Sequence, residues 1–508
     1  MIRFRRWIIL LHRYLGIALS PMFVVWFASG IAIMYARGMP GLTPQARLQH
    51  LAPLDLARVG ITPADALEKG QFDIDPNRVV LLTVMDRPAY QFIGRESATI
   101  FADTGERLLE LGPAGALRIA GAFMNLPQEA FHHAGLLNEP DQWTIGQPEQ
   151  TPLHKITVDD DAQTQLYVSS KMGEIVALTT RGSRALAWVA AIPHWLYFAP
   201  LRLNGSLWTG VVLTISGLGT ILTLAGIILG IIQFAPSGPS YIPYSGWMRW
   251  HYISGLLFGI FTFTWVFSGM LSMQPLDWAS RGNTGDEIPR ALSGGAVNLS
   301  AFRAFDADAW KQFLEQRAPK EIAFLQIQGD PYYLVSGVED RPLLVRANQA
   351  QAAENLFHLD EQAPLEVRRE PFSVESVISR VQQATRNIPI LESTLLSQYD
   401  SYYYSNDGSR PLPVLRVKFG DPDRTWFYID PMMSRVEGRY TRLGRIERWI
   451  YHGFHSLDFS FWYYNRPLWQ LGIITLSIGC IFSSGTGLFI GMKRVVRFIR
   501  SRSLFDRK

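Results

Sequence analysis

The sequence predicts a four-helix membrane bundle built from two internal repeats, with an α+β module outside the bilayer in each half. Three observations predict it: four long stretches with almost no charge, an uneven split of basic residues between short and long segments, and a correspondence between the two halves of the chain.

The chain has 508 residues, 48% hydrophobic and 18% charged, with mean hydropathy +0.05. Soluble domains carry about 25% charge, and the deficit here is concentrated in 14–36, 207–232, 252–273 and 468–492. Each stretch is long enough for a helix to cross a hydrocarbon core of about 30 Å. A wholly soluble protein, a disordered chain and a small disulfide scaffold are excluded. So is a many-helix transporter, because most of the chain lies outside these stretches.

The predicted order is an N-terminus with the first span at 1–36, an outside module at 37–206, the second span at 207–232 and a connector at 233–250. The third span follows at 251–273, then a second outside module at 274–467, the fourth span at 468–492 and a basic tail at 493–508. Charge sets the topology. Residues 1–13, the connector and the tail together hold 12 Lys or Arg against one acid, Asp506, whereas the two large segments carry a net charge of −7. Basic residues in short loops favour the cytoplasmic side, so both termini are expected inside and both modules outside. The basic balance therefore reports topology and gives no sign of nucleic-acid binding. The first apolar run is long for a signal-peptide core of about 7–15 residues and lacks a convincing cleavage site, which favours an uncleaved anchor.

The internal repeat follows from residue matches. His12, Gly16, Trp26, Ser29 and Gly30 recur 239 residues later as His251, Gly255, Trp265, Ser268 and Gly269. At an offset of 261, His194, Asn204, Trp208, Gly226 and Gly230 meet His455, Asn465, Trp469, Gly487 and Gly491. A weaker match at offset 243 sets LLTVMDRPAYQFIG against FLQIQGDPYYLVSG. Parallel repeats of this kind place equivalent units around an axis normal to the membrane. Within the modules, alternation predicts strands at Val79–Met85, Gln163–Val168, Val414–Phe419 and Trp426–Ile429. Turns are expected at Asp103-Thr104-Gly105 and Asn406-Asp407-Gly408, and helices at about 63–70, 308–317, 373–386 and 443–455. The expectation is two compact modules of antiparallel sheet with packed helices.

Cys480, the single cysteine, lies in the fourth span, so there is no intrachain disulfide and no C-x-x-C or C-x-x-C-H motif. Any haem would be held without covalent attachment. Among ten histidines, four occupy equivalent places. His12 and His251 open the first and third spans on the cytoplasmic side; His194 and His455 precede the second and fourth spans on the outer side. Positions 4, 14 and 18 residues after a helical histidine lie within about 40° of it. Gly16, Trp26 and Gly30 thus share a stripe with His12, and Gly255, Trp265 and Gly269 with His251. Glycine admits a flat group, and imidazoles projecting inward from facing helices make a bundle-core metal or haem site. Two histidines alone make a poor zinc site, so two b-type haems, one per pair, fit better. The competing reading is interfacial histidines with Gly and Trp serving helix packing. His452 is an alternative outer ligand, although its repeat partner is Ala191. His50 and His358 read as surface residues, as do His132, His133 and His154, for which a minor role at a substrate site is the alternative.

A substrate surface is expected at Tyr402, Tyr403, Trp462 and Tyr463, within the clusters Tyr399–Tyr404 and Phe461–Tyr464; strand packing and an interfacial belt are the alternative. There is no G-x-G-x-x-G at a strand-to-helix turn and no P-loop, and the connector is too short for an FAD or NAD domain. Electrons would come from quinol or a soluble cytoplasmic donor. No hydrolase constellation stands out.

The segments LHRYLGIALSPMF and DPMMSRVEGRYTRLGRIERWIYHGFHSLDF, with the duplicated modules, resemble the PepSY-associated transmembrane helix family of bacteria over nearly the whole chain. The resemblance implies PepSY-like modules in the periplasm and a multi-pass place in the inner membrane. Through members similar to siderophore reductases, it also implies an oxidoreductase with two haem b that reduces ferric siderophore or ferric iron and releases Fe(II). Reduction would weaken the hold of hard oxygen donors on iron. Implied partners are membrane lipid, a ferric siderophore and the electron donor. The rival expectations are a non-enzymatic PepSY module that restrains a periplasmic partner or protease, and an iron or siderophore permease component.

Overall fold

The computed structural model describes residues 2–36, 38–71, 76–234, 241–279, 282–339, 341–347, 365–405 and 408–505. Four helices are long and apolar enough to cross a membrane: Ile2–Ala36, Gly205–Ile232, Gly246–Ser272 and Arg466–Phe505. Only 22–33% of the residues in the most apolar stretch of each are buried within the protein. Leu218, Ile221, Leu257, Ile260, Leu471 and Ile478 all point outward, an arrangement that water would penalise and lipid would not. The third helix starts at Gly246, ahead of the expected boundary, and the fourth runs on through the basic tail. Lys and Arg are good helix formers and favour a helix C-terminus, so the charged tail extends the helix and does not end it.

The first helix packs on the second, the second on the third, the third on the fourth, and the fourth on the first. Their directions alternate, so one end of the bundle gathers the chain termini and the other faces the sheets. Small residues permit close approach: Gly219 lies against Phe23 and Val266, and Gly491 against Ile17. Between the two ends lies an apolar core of Phe23, Phe27, Leu222, Trp265 and Cys480.

The strands form three antiparallel sheets among the described residues. The expected two separate modules need correction here, because the largest sheet is shared. Its seven strands run in the spatial order Glu366–Arg368, Leu343–Arg346, Asp330–Ser336, Glu321–Ile327, Arg78–Val84, Arg87–Ile93 and Ala98–Phe101. The halves meet where Val79 faces Phe324 and Val80 faces Ala323. The physical reason is in the strands themselves. Val79 to Leu82 are buried throughout, and an edge apolar on both faces needs another strand to satisfy its backbone groups. The joined strands, Arg78–Val84 and Glu321–Ile327, start 243 residues apart, as do their hairpin partners Arg87–Ile93 and Asp330–Ser336.

Two four-stranded meanders complete the fold. One runs Phe131–Leu137, Leu153–Val158, Gln165–Ser169, Ile175–Thr179, the other Ile390–Leu396, Val414–Phe419, Trp426–Asp430, Arg435–Tyr440. Each packs on the helix that precedes it, Pro113–Met124 or Val374–Ala384. Their second and third strands start 261 residues apart, as do the second and fourth long helices. Arg47 bridges Glu174 and Glu321, tying the first meander to the shared sheet.

The other predicted helices appear as Pro63–Lys69, Ala307–Phe313 and Val374–Ala384. The fourth, expected over 443–455, is an α-helix only at Arg442–Arg448 and continues as a π-helical turn, Trp449–Gly453. The Asp103-Thr104-Gly105 turn forms, with Gly105 at φ +85°. Asn406, Asp407, His358, Asp506, Arg507 and Lys508 lie outside the described residues.

Candidate functional site

Each end of the bundle holds one histidine pair. At the termini side, His12 of the first helix and His251 of the third have ring centres 6.1 Å apart. His12 Nδ1 lies 3.1 Å from the carbonyl of Leu222, and His251 Nδ1 3.1 Å from that of Ser483. A carbonyl only accepts, so Nδ1 carries the proton in each ring and Nε2 keeps its lone pair. Both rings rest edge-on against glycine. A Cβ at Gly226 would stand 2.8 Å from His12 Cε1, and one at Gly487 3.0 Å from His251 Cε1.

At the domain side, His194 comes from the short helix Ala191–Trp195, and His455 from the loop after the π-helical turn. Their ring centres are 6.2 Å apart. His194 Nδ1 lies 3.2 Å from the Trp26 carbonyl and 3.2 Å from Ser29 Oγ; His455 Nδ1 lies 3.1 Å from the Trp265 carbonyl and 3.0 Å from Ser268 Oγ. A Cβ at Gly30 would stand 3.4 Å from His194 Cε1, and one at Gly269 3.5 Å from His455 Cε1. Both histidine-bearing segments are clamped to a long helix: Trp208 Nε1 donates to the Trp195 carbonyl, and Trp469 Nε1 to that of Ser456.

Two imidazoles bound in line to one metal, with bonds of about 2 Å, place their ring centres roughly 6.3 Å apart. Both pairs have that separation. Cavities of about 380 Å³ and 330 Å³ open at the termini-side and domain-side pairs, the size range of small-molecule and cofactor sites. Among the described residues no group of three or more His, Cys, Asp or Glu converges on a metal-sized site. Each pair therefore supplies two donors, which suits a macrocycle that brings its own equatorial nitrogens. Trp26 and Trp265 line the domain-side cavity, and their indole N–H groups are buried without a hydrogen-bond partner.

The stripe expected along the first and third helices serves two places. Gly16 and Gly255 line the termini-side cavity with the histidines, whereas Trp26, Gly30, Trp265 and Gly269 line the domain-side one. Fourteen residues of helix climb about 21 Å, most of a bilayer core, so His12 and Trp26 do not share a site.

His452 sits outside the domain-side cavity. Its side chain is 45% exposed and its Nδ1 lies 3.8 Å from Asp458. The π-helical turn brings its neighbour Tyr451 to stack on His455; such turns recur at functional sites. Below it, buried Arg448 pairs with Asp458 at 3.0 Å and donates to the carbonyls of Ser401 and Asp458. Tyr404 donates to the same carboxylate, and burial raises its phenol above the ordinary range. In the first half, the positions 261 residues earlier are Ala187, Ala191 and Tyr197, so this clamp belongs to one half only.

Two expectations are corrected. Tyr403 is no docking platform: it is fully buried, stacked on Tyr428, with its hydroxyl donated to the Pro411 carbonyl. Tyr402 accepts from Trp449, Trp462 packs on Gly472, and Tyr463 on Trp469 and Tyr404, and all three are half-buried. His154 is buried in the first meander, bonded to His133 and the Leu111 carbonyl, because its strand faces the Pro113–Met124 layer.

Sequence reasoning assigned no role to Gly226, Gly487, Ser29 and Ser268 at the histidines, although all four recur at the repeat offsets. It also passed over Arg13 and Arg494 in the termini-side cavity; neither recurs, so the repeat carried no signal for them. Compared with known protein families and with curated proteins, the chain matches no family model and no curated sequence.

Proposed function

We propose that this chain is an inner-membrane di-haem b oxidoreductase that passes electrons from the cytoplasmic side to the periplasm, where a ferric siderophore or ferric iron is reduced and Fe(II) released. One observation carries the reading: a histidine pair at each end of the bundle, at the spacing of two axial ligands, with every Nδ1 held by a carbonyl. Bound haem supplies a one-electron carrier at each site.

The chain's own groups do the rest. The carbonyls fix the tautomer and leave Nε2 with its lone pair, and the Nδ1 hydrogen bond also raises ligand basicity. The glycines let the rings lie against helix backbone. The apolar core between the cavities keeps water from crossing. The matched spacings of strands and long helices support two repeats with PepSY-like modules, and the basic residues at the termini side support a cytoplasmic location for that end. The electron donor is a quinol or a soluble cytoplasmic reductant, since no nucleotide-binding motif is present.

The test is spectroscopic. Purified full-length protein should hold two haems per chain, show b-type bands that shift on dithionite, and lose its reduced spectrum when a ferric siderophore is added. Folded, colourless protein removes the reading.

A further inference from the structure

Corresponding positions of the two halves differ in charge around the termini-side cavity. Arg13 of the first helix and Arg494 of the fourth line one side of it. The positions matched to them, Tyr252 of the third helix and Gln233 at the end of the second, line the other. Tyr252 is engaged, donating its hydroxyl to the Gly230 carbonyl. Neither arginine has a carboxylate within ion-pair distance among the described residues. Among the described residues, no Lys, Arg, Asp or Glu lines the domain-side cavity.

Two unpaired guanidiniums on adjacent helices, beside an apolar cavity, form a site for a pair of carboxylates. Arginine binds carboxylate bidentately with charge-assisted hydrogen bonds. A b-type haem carries two propionates, both on one edge of the ring, so a cavity basic on one side accepts it in one orientation. We infer that Arg13 and Arg494 hold the propionates of the termini-side haem. Its carboxylate edge then lies toward the first and fourth helices, at the end that gathers the chain termini. This rests on the di-haem reading above and adds to it which way round one haem sits and what holds it.

The experiment uses full-length protein in detergent, with Arg13→Gln, Arg494→Gln, the double variant and the double Lys variant. Haem is assayed as haem-to-protein ratio and as transfer to apomyoglobin, and each haem's midpoint potential is titrated. A lost charge-assisted hydrogen bond of about 1.5–3 kcal/mol corresponds to roughly 10- to 150-fold. The double Gln variant should release the termini-side haem at least about tenfold faster while the domain-side haem, the internal control for folding, is unchanged. Its potential should fall, because removing cations favours the more positively charged ferric form. The double Lys variant should recover most of the potential and part of the retention.

Reloading apo-protein with haem dimethyl ester, which has no carboxylates, separates haem propionates from lipid phosphate as the occupants. Wild type should reject the ester at the termini-side site and the double Gln variant should not discriminate. Unchanged haem retention in the double Gln variant overturns the inference, and so does equal uptake of ester and haem by wild type. Loss of co-purifying anionic lipid alone, with haem retained, assigns the arginines to lipid and also overturns it. Wild-type protein with only one haem, or none, instead overturns the di-haem reading on which it rests.

Discussion

The two ends of the bundle solve one problem with different parts. At the termini side, both imidazoles stand on long helices, and their rings press on Gly226 and Gly487 with no room for a further carbon. At the domain side, they come from short connecting segments, have about half an ångström more clearance at Gly30 and Gly269, and have a serine hydroxyl at each Nδ1, where the termini side has only one hydroxyl, Thr486 Oγ1 at 3.3 Å from His251 Nδ1. Yet the ring separations, 6.1 and 6.2 Å, nearly coincide. The imidazole spacing thus follows from what both ends share, a carbonyl on Nδ1 and a glycine behind the ring. Charge and tolerance to change follow from what they do not share.

The largest test of that contrast removes the rings. His12→Ala or His251→Ala should abolish the termini-side haem and spare the other; His194→Ala or His455→Ala should do the reverse. Haem-to-protein ratios falling from two to one check this, and a variant that keeps both haems reassigns its pair. His452→Ala should retain both haems and lower substrate reduction only modestly.

Next in size is the one-sided clamp. Asp458→Ala leaves buried Arg448 without its partner, which costs about 3–5 kcal/mol. Thermal unfolding followed by domain-side haem loss should show it, with termini-side occupancy unchanged below the transition. A smaller effect separates the two glycine pairs. Gly226→Ala and Gly487→Ala should cost about 1–3 kcal/mol through overpacking and reduce termini-side haem content. Gly30→Ala and Gly269→Ala should be close to neutral in the same assay. Equal effects at both ends would erase the contrast in clearance. The smallest effect is at the serines: Ser29→Ala and Ser268→Ala should each cost about 0.5–1.5 kcal/mol, seen as a small drop in domain-side midpoint, because the carbonyl still holds Nδ1.

Much of this was legible in one dimension. Long charge-free stretches have few physical outcomes, and the four spans follow from them. His12, His251, His194 and His455 stood out because a feature recurring at a fixed offset is hard to attribute to chance. Tyr403 departs from the expectation for a physical reason: it lies in the loop between Ile390–Leu396 and Val414–Phe419, and only the packing of that loop onto Tyr428 decides that it is buried. His154 departs too, because only the register of a sheet decides which face a residue takes.

What the sequence by itself determined was therefore the inventory: apolar length, charge balance and the recurrence of the histidines, all of which are local or periodic. Tertiary structure alone decided which groups converge. It joined the halves through Val79–Leu82, because a strand buried on both faces cannot end a sheet. It sorted one helical stripe into two sites, because a helix climbs across the bilayer as it turns. It also brought Arg13 and Arg494 to one cavity, because residues 481 positions apart become neighbours only when the first and fourth helices pack.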